Sequence, residues 1–231
     1  MAINDPLGDH FKTVERQEER RITSDYAAIR LDGRSFHTLT KNMEKPFDPV
    51  FVNAMDAAML AAVNSYQNIR LAYVQSDEIS LILERGVEYP FSGRVDKLIT
   101  LAASAASAAF SMTLPAKDVS RPPLFDGRII PLHDVAEVRD YLSWRRLDCM
   151  RNAVNACCNV LYSREELEGR SLEERHGMLA GTRFDPIDDA LFHGRFLHRV
   201  TYWKQVVNGP DVERTRWKRD VASREAVERI L

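Results

Sequence analysis

Two acidic pairs carry the most chemistry in this sequence. Asp32-Gly33 follows the short apolar run Tyr26–Leu31, and Asp77-Glu78 sits between the apolar runs Ile69–Val74 and Ile79–Leu83. Carboxylates held close together do not ionise cheaply unless a cation shares them. Mg²⁺ suits such a place, being hard, octahedral and content with a few carboxylates plus waters and phosphate oxygens. Two such ions can activate an attacking oxygen and stabilise a departing pyrophosphate. Turn chemistry alone also accounts for each pair, so the weight rests on whether the fold brings them together. Phosphates would need cations, and Lys45, Arg94 and Lys97 are candidates. Arg94 and Lys97 are three residues apart where a helix begins, an end that favours anions. Ser76 and the backbone amides of Gly33, Arg34, Ser35, Phe36 and His37 could bind phosphate or base edges. His37 is equally readable as an ordinary exposed histidine. No Walker-type loop and no G-x-G-x-x-G is present.

The elements that must position these residues follow from periodicity. Tyr26–Leu31 reads as a strand ending in an Asp-Gly turn. Asp48-Pro49 supplies an N-cap and a first-turn proline, and Phe51, Met55, Ala58, Met59 and Ala62 keep one helical face apolar. Ile69–Val74 and Ile79–Leu83 form a hairpin. Arg94 to Met112 reads as a helix with Leu98, Leu101, Ala105, Ala108 and Met112 on one stripe, and Asp126-Gly127 reads as a turn before the strand Arg128–Leu132. The order strand, helix, strand, strand, helix, strand is that of an α+β, ferredoxin-like (βαββαβ) sheet with helices on one face. No Pro- or Gly-rich linker divides the chain. We therefore expect one unit over 1–231, with a core at about 25–133 and a mainly helical extension at about 134–231. In that extension Asp134/Glu137, Ser163/Glu166 and Ser171/Glu174 read as helix-start boxes, Asp185-Pro186 as another helix start, and Phe196 to Val207 as strand-like. The first 25 residues read as a polar, helical lead-in.

Composition narrows the class. The 231 residues are 45% hydrophobic and 29% charged with net charge −2, which excludes binding nucleic acid by bulk charge but not by a local basic face. The segment Arg214–Arg219 groups four cations around Trp217, readable as an RNA-backbone contact or as a solvated helix face. Three cysteines, Cys149, Cys157 and Cys158, argue against a disulfide scaffold and fit a reducing compartment. With no C-x-x-C pair, zinc is not expected. Met1–His10 lacks the apolar core of a signal peptide. The uncharged stretch Leu98–Ala116 is too rich in Ala, Ser and Thr for a membrane span. The expectation is a cytoplasmic protein without membrane contact.

Five segments together resemble the histidine-tRNA guanylyltransferase family: IRLDGRSFHTLTKNMEKPFD (29–48), AYVQSDEISLIL (72–83), GRVDKLIT (93–100), FDGRII (125–130) and DYLSWRRLDC (140–149). The resemblance spans roughly residues 25–205. It implies a polymerase-palm fold and nucleotide addition to an RNA 5′ end in the 3′–5′ direction. ATP first activates a 5′-monophosphate, and the 3′-hydroxyl of GTP then attacks. It implies that Asp32, the Gly33 carbonyl and Asp77 hold two Mg²⁺ ions, with Glu78 as the supporting acid. Asp32–His37 and Ser76-Asp77 would line the nucleotide site, and Lys45, Arg94 and Lys97 would contact the triphosphate. The implied partners are tRNA, ATP, GTP and further copies of the chain, as a homotetramer. One departure stands out. Where eukaryotic members carry a His-Ile-Asn-Asn-Leu-Tyr-Asn block, this chain reads Met150 to Ala156 as MRNAVNA. That looks more like the "-like" branch, which repairs truncated tRNA 5′ ends on a template, than untemplated guanosine addition to histidine tRNA. A palm-type nucleotidyl cyclase and a non-catalytic RNA-binding module are the alternatives.

Overall fold

The computed structural model describes residues 6–17, 19–115, 121–205, 210–223, 225–226 and 228. The elements run α1 (Pro6–Gln17), β1 (Tyr26–Gly33), α2 (Phe36–Leu39), α3 (Pro49–Val63), β2 (Ile69–Gln75), β3 (Glu78–Glu84) and α4 (Val95–Thr113). They continue with β4 (Phe125–Leu132), α5 (Val135–Leu161), α6 (Arg164–Leu167), α7 (Leu172–Met178), α8 (Asp189–Phe192), β5 (Arg195–Lys204) and β6 (Val212–Val221). The strands form one antiparallel sheet in the order β4-β1-β3-β2-β5-β6. The fold is thus a mixed α and β one.

Alternation in β1 assigns the two faces of the sheet. Ala27, Ile29 and Leu31 join α3 and α4 in the larger core, while Ala28 meets Val138, Tyr141 and Leu142 of α5 on the other side. Helices therefore cover both faces, not one. The reason is legible in β1 to β3: Ala28, Leu71, Tyr73 and Ile82 are apolar on the second face as well, and such strands need cover on both sides.

α3 starts as the Asp48-Pro49 pair dictates, with Asp48 Oδ1 accepting from the amides of Val50 (2.8 Å) and Phe51 (3.3 Å). In α4 the buried stripe is Val95, Leu98, Ala102, Ala106 and Phe110, whereas Leu101 and Met112 are exposed. Small residues made two neighbouring stripes nearly equivalent. Phe110 decides between them by packing against Phe36, Phe51 and Phe125. Asp126-Gly127 is not a turn but lies inside β4. A side chain at Gly127 would come within 2.8 Å of Ile99 Cγ2, so this glycine permits close approach of α4.

The extension departs most from expectation. The box residues Ser163/Glu166 and Ser171/Glu174 each cap a short helix reciprocally. Asp134 caps α5, but Glu137 accepts from His133 N instead of the cap's own amide. Asp185-Pro186 starts no helix; α8 begins after the cap residue Asp188. The extension is helical over α5 to α8, and β5 and β6 lengthen the same sheet. Arg214–Arg219 is strand, not a helix face. Its signal is period two: Arg214, Arg216 and Lys218 alternate with Thr215 and Trp217. β5 ends at Lys204, and 206–207, the far end of the strand-like stretch, lie outside the described residues. Of the lead-in, Pro6–Gln17 is helical as α1, with none of that helix's residues buried. All three cysteines are buried and free. Among the described residues no helix is long and apolar enough to cross a membrane.

Candidate active site

The end of β1 and the tip of the β2–β3 hairpin meet. The turn is two residues, Ser76 and Asp77, with Ser76 at a positive φ of 47°. Gly33 N donates to the Asp77 carbonyl at 2.9 Å. This bond gathers two acids 45 positions apart in the chain. Asp32 pairs across the ladder with Glu78 of β3 and with Asp126 of β4, so these three side chains leave the sheet on the α5 face.

The adjacent acids Asp77 and Glu78 have different surroundings. Burial, and next the charge of Asp32, push the Asp77 carboxyl above its ordinary range, with His37 opposing weakly. Ser76 Oγ donates to Asp77 Oδ1 at 3.2 Å. Among the described residues neither Asp32 nor Asp77 has a lysine or arginine within ion-pair distance. Glu78 instead is clamped: Arg145 Nη1 lies 2.8 Å and Arg30 Nε 3.7 Å from its Oε2. Burial still outweighs both guanidinium groups and raises the Glu78 carboxyl. Its other oxygen, Oε1, is buried without a hydrogen-bond partner. Two carboxylates lacking a cation offer hard oxygens of the kind a divalent ion such as Mg²⁺ takes together with waters and phosphate oxygens; among the described residues no group of three or more Asp, Glu, His or Cys side chains is gathered to hold a metal ion unaided.

Beside the acids opens a cavity of about 360 Å³. One wall is the segment from Phe36 to Val52, including His37, Met43, Lys45, Phe47 and Asp48; the other is Cys149, Asn152, Ala153 and Ala156 of α5, with Gln75, Ser76, Asp77 and Arg195 between them. Lys45 Nζ donates to the Thr40 carbonyl at 2.7 Å, which holds it at the rim. Phe36 belongs to the aromatic core, and its ring lies where a Cβ on Gly33 would fall, so position 33 has room only for glycine. Ser35 adopts a left-handed backbone (φ 57°) before α2, and Arg34 is exposed, its amide bonded to the Leu124 carbonyl.

Arg94 and Lys97 are not brought to this place. They sit at the start of α4, whose backbone is tied to Arg20 and Ile22 just before β1, and Arg94 Nη1 lies 3.7 Å from Glu19. Neither side chain lines the cavity. Sequence reasoning also missed residues that complete the site. Gln75, Asn152 and Arg195 line the cavity, and Arg145 holds Glu78 while stacking on Trp144 at 3.5 Å. These are contacts between elements distant in sequence, for which no local spacing exists.

A second feature is the β5–β6 ribbon. Arg216 lies over the Tyr202 ring at 5.4 Å, and Arg199 over Trp217 at 5.1 Å. Most of Arg199–Lys204 and Val212–Arg219 is exposed. The ribbon is therefore a basic, aromatic strip in solvent.

Comparison with known proteins places the chain among relatives. A family model described as tRNAHis guanylyltransferase matches residues 8–133. The tRNA(His) guanylyltransferase of Schizosaccharomyces pombe is 33% identical over 187 residues, covering 74% of this chain and 70% of that protein. Among solved structures, a bacterial tRNA(His) guanylyltransferase-like protein in complex with ATP superposes with a TM-score of 0.81 at 24% identity, covering 98% of this chain and 99% of that one. A structure of the same description in complex with GTP gives a TM-score of 0.76 with the same identity and coverage. At this identity the structural likeness is one of fold.

Proposed function

We propose, from the premise that the chain belongs to the tRNA(His) guanylyltransferase family and is a nucleotidyltransferase, that it adds nucleotides in the 3′–5′ direction to the 5′ end of tRNA. ATP activates a 5′-monophosphate, and the 3′-hydroxyl of GTP or another nucleoside triphosphate then attacks. The observation that carries this reading is the meeting of Asp32 and Asp77, uncompensated by any described lysine or arginine, beside a cavity that Asp77 lines. The relatives solved with ATP and with GTP support it.

In this reading β1 and the first hairpin belong to a ferredoxin-like palm over about 25–133. The extension over about 134–231 closes it into one catalytic unit. Asp32, the Gly33 carbonyl and Asp77 would hold two Mg²⁺ ions, which supply positive charge to the polyphosphate and ease deprotonation of an attacking hydroxyl. Glu78, fixed by Arg145 and Arg30, keeps the floor of the site in register with Asp32. Ser76, His37 and Lys45 face the cavity from two sides and orient the triphosphate, while Met43, Phe47 and Ala153 exclude water from the base. Arg94 and Lys97 do not line the cavity of their own chain and are not among these contacts. The β5–β6 ribbon tracks the RNA backbone. We further infer a cytoplasmic homotetramer.

MRNAVNA at 150–156 replaces the block that eukaryotic members use for untemplated guanosine addition, which favours templated repair of truncated tRNA. Base pairing then selects the nucleotide, and the protein reads shape and backbone. The test is addition, with each of the four labelled nucleoside triphosphates, to several tRNAs lacking their first nucleotide. Incorporation following the opposing base in every tRNA is expected. Guanosine added only to histidine tRNA, whatever the opposing base, would remove templating from the proposal. A cyclic product formed without RNA would remove the RNA.

A further inference from the structure

We propose that Trp144 is the platform on which the 5′-terminal base of the RNA substrate stacks; this rests on the reading of the chain as an enzyme acting on an RNA 5′ end. The indole is 51% exposed, yet it is not free to turn. Arg145 lies against its face at 3.5 Å, Tyr141 meets its edge at 5.9 Å, and Arg30 approaches at 5.6 Å. Arg145 and Arg30 are in turn held by Glu78. The orientation of the ring is thus set by the same carboxylate that stands across the ladder from Asp32.

Position argues for RNA over mononucleotide. Toward β2 and β5 the cavity is lined by Gln75 and Arg195. Trp144 lies by Arg30 of β1, the strand that also carries Asp32, and does not line the cavity. A displacement at phosphorus needs the attacking and departing groups in line on opposite sides of the reacting phosphorus, so the RNA end and the nucleoside triphosphate need separate places around the acids. With the nucleoside triphosphate in the cavity, the RNA end comes from the side of Trp144. The end of an RNA duplex presents one bare base face. A preset indole receives it with little ordering cost, and a ring binds any base, as templated addition requires.

The test uses the full chain and a tRNA carrying 2-aminopurine at its 5′-terminal position, titrated without nucleoside triphosphates. Stacking quenches the probe. Wild type and Trp144→Phe should quench it, and Trp144→Leu and Trp144→Ala should not. In steady-state addition the two non-aromatic variants should raise KM for tRNA about tenfold or more, given the usual strength of base–aromatic stacking, and leave KM for ATP within about twofold. Trp144→Leu keeps apolar bulk over Arg145, and circular dichroism checks the fold of each variant. Unchanged quenching in Trp144→Leu overturns the platform. So does a rise in KM for ATP instead of tRNA, which would assign the ring to the mononucleotide. A wild-type chain that adds nothing to any RNA refutes the parent reading; a wild type that adds normally, matched by Trp144→Leu, refutes the platform alone.

Discussion

Asp77 and Glu78 are neighbours in sequence and opposites in surroundings. Glu78 points into the layer between sheet and α5 and meets two arginines. Asp77, one residue earlier, sits at the hairpin tip with another acid for company. The difference separates a carboxylate that holds the protein's own parts together from one left for a cation the protein does not supply. A two-residue turn is enough to produce it, because Asp77 belongs to the turn while Glu78 is the first residue of β3 and is fixed in its ladder.

The contrast is broken most directly by neutralising each acid. Asp32→Asn and Asp77→Asn should each lower nucleotide addition by roughly 10³ or more, as expected where bound metal ions stabilise the transition state, while circular dichroism stays that of wild type. Activity near wild type in either variant would end the assignment.

Removing the clamp acts on stability. Arg145→Met leaves Glu78 buried without its nearest cation and should cost about 3–5 kcal/mol in urea unfolding. A loss under about 1 kcal/mol would mean that Arg30 alone suffices.

The two acids also make a pH prediction. Both have folded-state pKa values raised above the ordinary carboxylate range, so the folded state binds these protons more tightly than the unfolded one. Their contribution favours folding at pH values below the ordinary range and is lost as pH rises through the raised values. Metal-free protein should therefore lose stability on going from mildly acidic to neutral pH, and Asp77→Asn should lose less. Millimolar Mg²⁺ should flatten the dependence through Asp77. Identical pH profiles for wild type and Asp77→Asn would count against the raised Asp77.

The smallest effects belong to the ribbon. Arg214→Ala and Arg216→Ala should weaken tRNA binding uniformly across sequences and lower the salt dependence by about one unit each, with ATP binding unaffected. A salt slope unchanged in both would take the ribbon off the RNA.

Much of this arrangement could be read beforehand, and the failures have a common cause. β1, the hairpin and α3 follow from local pattern: alternation at Ala27, Ile29 and Leu31, two apolar runs around four polar residues, and an Asp-Pro start. Asp32, Ser76 and Asp77 were legible because the hairpin's own topology sets them beside β1. The stripe of α4 was misread because alanine marks a face weakly until Phe110 finds its partners. The Arg145–Glu78 clamp and the far wall of the cavity depend on where α5 lies across the sheet, which no window of sequence encodes. Arg94 and Lys97 show the converse. Their spacing suits an anion site, but the start of α4 is tied to Arg20 and Ile22, and neither side chain lines the cavity.

β6 is the outermost strand, with one row of backbone groups that no neighbouring strand in this sheet covers. Open rims of this kind invite a second chain to zip on and seed fibres. Lys218 and Arg219 are ion-paired with Asp220 and Asp56, whereas Arg214 and Arg216 repel any such copy of themselves. Exchanging them for neutral residues would therefore do more than loosen a grip on a polyanion: it would strip the rim of the charge that keeps identical molecules apart in concentrated solution.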